Sequence, residues 1–415
     1  MKLLGLSQIS LGMIIFSGVS FATCLPTTAS TLYSVTELSN PNIDVIAYDI
    51  NNLGQVVGGY FTYSTDFSNS ISYSFRTSAN SPINTATDNL GIPFSQALSI
   101  NDLGQVVGLS FNSEVGLSGA YRTDPNSPIN PATDGFAEGR FSIFSAATGI
   151  NNSGQVVIIN PLLRLGTESY RVDTNTSTNE EEYTNLGSLG GVISGPFPFK
   201  YTSVSDINES GQVVGTSLNS NLEYHAYRTN PNSPINRDTD DLGTLGGSES
   251  YATAINNLGQ VVGYSTNING EFRAFLTAPN SPINPTTSDL GTLGGSSSSA
   301  SDINDLGQVV GTSTTITGES RAFLYDDGKL FDLNSLIPNN SGVTLNYANA
   351  INDRSQILAG TFGDINAGVF RRAFLLTPIG STSVPESFSG LGVLGFAAMS
   401  ATFLTRKKSL SFLKK

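Results

Sequence analysis

The chain has 415 residues, of which 13% are charged, 43 are Gly and one is Cys, with a formal net charge of −13. A single Cys excludes an internal disulfide, and a single His with it excludes the usual Cys/His zinc centres. The acidic balance argues against nucleic acid and anionic lipid as partners, while 38% hydrophobic residues suffice for a packed core.

Residues 1–30 read as a signal peptide for export. Lys2 is the only charge before Glu37, Leu3 to Phe21 is mostly apolar, and small residues near Ala22 and Ala29 offer cleavage points. Cys24 lies at the edge of this segment. Phe21-Ala22-Thr23 before it is a poor match to the small residues that precede a lipid-modified cysteine.

A repeat domain is expected over residues 31–378. One phrase returns seven times: Ile-Asn, two residues, usually Gly, then Gln-Val-Val-Gly. Its isoleucines are Ile50, Ile100, Ile150, Ile207, Ile255, Ile303 and Ile351, at steps of 50, 50, 57, 48, 48 and 48 residues. A fixed period of this size marks one supersecondary unit copied and packed on itself.

The fifth copy is the cleanest. Tyr251 to Ile255 alternates small and apolar positions and predicts a strand. Asn256-Asn-Leu-Gly259 is a turn closed by a glycine with positive φ. Gln260 to Ser265 is rich in β-branched residues and predicts a second strand, and Phe272 to Leu276 a third. Asn280-Ser-Pro-Ile-Asn284 is a loop, because Pro bars strand continuation. Asp289-Leu-Gly-Thr-Leu-Gly-Gly295 reads as a fourth, glycine-rich strand. Four short strands in about 48 residues match one blade of a β-propeller, and seven units fit a seven-bladed ring. A linear β-solenoid or a row of small sandwiches is the alternative.

The first such fourth strand is Tyr33–Leu38, and the seventh phrase has none after it. Tyr33–Leu38 is therefore expected to pair into residues 345–377 and latch a ring. Two copies are irregular, with Ile158 in place of Gly in the third and Gln-Ile-Leu-Ala359 in the seventh. The longest step holds Glu180-Glu181-Glu182 and an insertion with Pro196-Phe197-Pro198-Phe199, which reads as a tolerated surface insertion, with a binding loop as the alternative.

Beyond the repeats, residues 379–387 form a linker holding Val384, Pro385, Glu386 and Ser387. Residues 388–405 form an apolar helix just long enough to cross a bilayer, and 406–415 a basic tail with Arg406, Lys407 and Lys408 that would stay cytoplasmic. This order resembles the PEP-CTERM sorting signal, with Ser387 where that family usually has Pro. The resemblance implies processing by an exosortase-like enzyme; an ordinary single-pass anchor is the plainer reading. Loss of both ends would remove six of the 20 basic residues but only Glu386 of the 33 acidic ones. That leaves 14 against 32, a net charge of −18.

Ala-Ile-Asn-Asn-x-Gly-Gln-Val-Val-Gly, Asp-Leu-Gly-Thr-Leu-Gly-Gly and Arg-Ala-Phe (at Arg273, Arg321 and Arg372; His225-Ala-Tyr once) resemble the extracellular HAF repeat. The resemblance implies an exported bacterial protein with a β-propeller-like array and no established activity, so it supplies no catalytic residues.

The residues themselves offer little chemistry. His225 reads as a surface strand residue, although it could serve a Ser-His-Asp set. Glu180–Glu182, Asp240–Asp241 and Asp326–Asp327 are carboxylate pairs of the kind glycoside chemistry needs, and each also suits a solvated turn or strand start. Asp326-Asp327-Gly328-Lys329 reads as a tight hairpin. The turns at Asn101 and Asn304 could offer oxygens to Ca²⁺, without the spacing of a known calcium loop. No cofactor is otherwise expected. The leading expectation is a non-enzymatic protein, exported to the cell surface or matrix, that binds protein or polysaccharide or serves as a structural scaffold. A propeller hydrolase or lyase using paired carboxylates is the alternative.

Overall fold

The computed structural model describes residues 33–39, 43–63, 70–112, 117–136, 141–162, 166–175, 180–192, 200–363 and 371–380. The signal segment, Cys24, residues 196–199 and every residue of the sorting signal lie outside these. The described chain is all-β apart from one 3-10 turn, Leu333–Ser335. Its sheets are propeller-like antiparallel meanders, and two of them join through a short parallel pairing of Gly166–Thr167 with Lys200–Tyr201.

Each phrase closes a hairpin between an inner strand and a middle strand. The inner strands are Asp44–Ile50, Ser95–Ile100, Ala146–Ile150, Lys200–Ile207, Gly246–Ile255, Gly294–Ile303 and Tyr347–Ile351. The middle strands begin at the paired apolar residues, as in Val261–Asn267, and the aromatic triplet follows on a third strand, as in Phe272–Leu276.

The last Gly of the phrase has a definite cause. In the fifth repeat the register slips between Ala252 and Ala254, a β-bulge that presses the inner strand onto its neighbour. A Cβ on Gly263 would lie 1.9 Å from the Tyr251 carbonyl oxygen. Gly58, Gly108, Gly215 and Gly311 face the same obstacle at 2.0–2.2 Å. Ile158 and Ala359 hold the corresponding place in the two irregular copies.

The glycine-rich segments Asp241–Gly247 and Asp289–Gly295 are not fourth strands as expected, whereas Asn89–Pro93 does pair as an outer strand in the first repeat. Asp241 and Asp289 make single bridges to Tyr227 and Phe275, and the chain then bends at Gly243 and Gly246, or Gly291 and Gly294, all at positive φ. Gly246 and Gly294 instead open the next inner strand. In the third repeat the outer strand is Glu180–Asn185, ahead of the glycine segment, and in the sixth it is Lys329–Asp332 across the expected Asp327-Gly328 turn.

Apolar clusters lie between adjacent sheets rather than within one. Val214, Ala226 and Leu242 pack with Ala252, Ile255, Val261 and Phe275, joining the fourth and fifth repeats. A lone meander would leave both faces wet, so neighbours are required. The first and last segments meet as the spare strand predicts. Tyr33–Glu37 pairs antiparallel with Arg372–Pro378, from Tyr33 opposite Pro378 to Glu37 opposite Phe374. Arg372 clamps Glu37 through two bonds of 2.7 and 2.6 Å.

Candidate functional site

The seven Ile-Asn turns end on one side of the sheets, around a cavity of about 280 Å³. Each buried Asn there satisfies its amide fully. Asn51 accepts from the backbone amides of Leu53 and Gln55, and donates to the Gln55 side chain and to the Asn101 carbonyl of the next repeat. The last of these bonds recurs around the molecule. Asn101 reaches Asn151, which reaches Asn208; Asn256, Asn304 and Asn352 follow in turn, at 3.0–3.1 Å. Asn352 then donates to the Asn51 carbonyl at 3.0 Å, closing the circuit.

The following residue builds a second circuit. The amide of Asn52 donates to Asp102, that of Asp102 to Asn152, and so on through Glu209, Asn257, Asp305 and Asp353. The Asp353 amide returns to the Asn52 side chain at 2.9 Å. This rim carries four carboxylates and three amides.

Within the cavity lie Asp49, Asp206 and Asp302, each directly before the Ile of its phrase. Each spans two repeats. Asp49 accepts from the amides of Ile50 at 2.7 Å and Ile100 at 2.9 Å. Asp206 accepts from Ile207 and Ile255, and Asp302 from Ile303 and Ile351. The receiving repeats hold Ser99, Ala254 and Ala350 at the same place, which leaves room for the carboxylate. All three residues are half-buried. Burial, opposed by the Ile255 and Ile207 amides and reinforced by Asp49, pushes Asp206 up to about 7. Burial and the charges of Asp49 and Asp206 hold Asp302 well above its ordinary range, and burial raises Asp49 too.

Tyr48 lines the cavity beside Asp49, while a cluster of other aromatic side chains gathers farther along the strands of the fourth and fifth repeats. Tyr201, Tyr224, Tyr251, Tyr264 and Phe272 form a continuous chain of ring contacts with centroids 4.8–6.0 Å apart. Phe111 meets Phe144, and Tyr347 meets Phe362. Phe94 holds its backbone at φ +59, rare for a bulky residue, with 43% of its surface exposed.

The residues singled out in the sequence are dispersed. His225 is not a plain surface residue: its side chain is 13% exposed and its Nδ1 lies 2.7 Å from Asp241. Ser217 stands opposite it in register, but that hydroxyl is engaged with the Leu189 amide and the Tyr201 carbonyl rather than with the His–Asp pair. Asp240 is buried and bonded to the Asn236 amide, Glu181 pairs with Arg122, and Asp326 accepts from Gln308. The Asn101 and Asn304 oxygens are taken by backbone amides, and among the described residues no acidic, His or Cys group is arranged to hold a metal ion. The inner Asp trio and the aromatic cluster escape sequence reading. A trace of the trio is visible, since an Asp stands just before Ile-Asn in three of the seven copies where the others have Ser, Gly or Ala.

A family described as "Protein of unknown function (DUF3466)" matches residues 236–367. No curated protein matches the chain. Among solved structures, the β-propeller domain of the Trilobed protease from Pyrococcus furiosus is similar at 10% identity and a TM-score of 0.46, covering 80% of this chain and 95% of that one. Pyrococcus horikoshii acylaminoacyl peptidase is similar at 9% identity and 0.48, and this chain spans about half its length. The BP39L lectin of Burkholderia pseudomallei is similar at 10% identity and 0.40, covering 80% and 95% of the two chains. At this level neither peptidase nor lectin chemistry passes to this chain.

Proposed function

We propose that the chain is a closed, seven-bladed β-propeller of the HAF-repeat kind, exported and acting as a rigid non-enzymatic scaffold that binds polysaccharide or protein. The capture of the converging carboxylates by backbone amides carries this reading. Glycoside cleavage needs two carboxyl groups beside a seated sugar. Here the carboxylates that converge from different repeats are engaged by backbone amides at the Ile-Asn end. The clustered rings suited to stack on sugars lie farther along the strands; Tyr201 and Ile207 are six residues apart on one strand, about 20 Å. The acidic surface favours a neutral glycan over an anionic one.

A glycan array run beside a hydrolysis screen tests this. The expected result is binding without product release, weakened about tenfold by combined Phe111→Ala and Phe272→Ala, whose rings are exposed. Release of product sinks the scaffold reading. Sorting is proposed on the order of box, apolar run and basic tail, with an exosortase-like enzyme acting near Pro385-Glu386. Mass spectrometry of protein recovered from culture medium checks it: a tail retaining Arg406 overturns it.

A further inference from the structure

The turns of the Ile-Asn end carry exposed leucines that the fold does not require. Leu53, Leu103, Leu258 and Leu306 occupy one equivalent turn position and are 45–65% exposed. The other three copies hold Ser153, Ser210 and Arg354 there and make the same turn, as the Asn208 and Asn352 bonds show. Leucine at this place therefore serves neither the hairpin nor the core, and four copies of it on one end form an unpartnered apolar crown.

We propose that this crown, with the acidic rim inside it, is a docking surface for a partner protein segment that presents Lys or Arg between apolar side chains. The leucines would cover the apolar positions. Asp102, Glu209, Asp305 and Asp353 would face the cations, and Arg354 is the one cation in the seven turns. Charge decides against the other occupants. A second copy would set one acidic rim against another, and nucleic acid or anionic lipid would be repelled. The inference deepens the scaffold reading by naming a partner class, at the end away from the clustered tyrosines; a failed glycan array leaves it standing.

The test titrates the full chain against a fluorescent Leu-Lys-Leu-Lys-Leu peptide, with Leu-Glu-Leu-Glu-Leu and Ser-Lys-Ser-Lys-Ser as controls. Two variants borrow residues the repeats already use at these places: L53S/L103S/L258S/L306S and D102N/D305N/D353N. Saturable binding of the first peptide alone is expected, weakened about tenfold or more by either variant while the melting temperature holds. Equal binding of the glutamate peptide, an unaffected leucine variant, or a dimer that the leucine variant dissolves would each overturn the proposal.

Discussion

At Gly263 a single hydrogen in place of a methyl group lets the inner strand approach closely without the adjustment that Ile158 and Ala359 require in the irregular copies. The Tyr251 carbonyl oxygen occupies the space a Cβ would need, and it is backbone, so it cannot swing aside. Gly263→Ala is expected to cost about 2–4 kcal/mol, read as a lower urea midpoint with an unchanged slope. A variant as stable as the parent would show that the bulge can relax. The glycine two residues before Val261 has a different cause. Gly259 has φ +73, and a Cβ there would meet the Asn280 side chain at 2.3 Å. Asn280 itself is held in the left-handed region and accepts from Gln212. The repeated Gly, Gln and Asn are thus parts of one contact between neighbouring repeats. Their recurrence was legible in the chain, but their mutual contact was not.

At the scale of the element, three pairs of neighbouring inner strands are joined by a carboxyl group, and others by a Thr or Asn side chain. Asp206 ties the end of one inner strand to the next through Ile207 and Ile255. Its folded pKa, near 7, stands above the ordinary carboxylate value, so the folded chain holds a proton that the unfolded chain releases. Its contribution to stability is therefore complete below about pH 4 and is lost as pH rises toward 7. Asp49 and Asp302 act in the same direction. Glu37 and Asp44 oppose them. The Arg372 hydrogen bond lowers Glu37, and the Arg371 and Tyr63 bonds outweigh burial at Asp44, so their contribution fades in stronger acid. Stability is expected to peak in mild acid. Urea unfolding at pH 5 and pH 8 should show the wild type weaker at pH 8, with a smaller difference in Asp206→Asn. An equal difference in both would remove Asp206 as the cause.

At the scale of the whole molecule, closure depends on two contacts distant in sequence. Asn352 and Asn51 are 301 residues apart and complete the inner circuit, while Tyr33–Glu37 completes the last sheet at the outside. Tyr33 is fully buried with Leu333, Leu345 and Phe374. Removing the residues before position 40 would uncover that cluster and leave the Arg372–Pro378 strand without a partner. Calorimetry is expected to show a fall in melting temperature of about 10 °C or more. An unchanged transition would mean that the sheets hold together without the latch.

The sequence by itself determined the unit: a hairpin with glycine at its turn, a β-branched middle strand, an aromatic third strand, and a spare first strand for the last sheet. These follow from local rules of backbone angle and side-chain alternation, which act within a few residues. It did not determine that the glycine-rich segments bend instead of pairing, since their length and composition suit a strand and only the packing at Gly243 and Gly246 turns them aside. Nor did it reveal that Asp49, Asp206 and Asp302 share one cavity while Tyr201, Tyr224, Tyr251 and Tyr264 stack together elsewhere. Those groups are brought together only when all seven copies stand side by side, because each carboxylate finds its second amide on the next repeat, about 50 residues away along the chain.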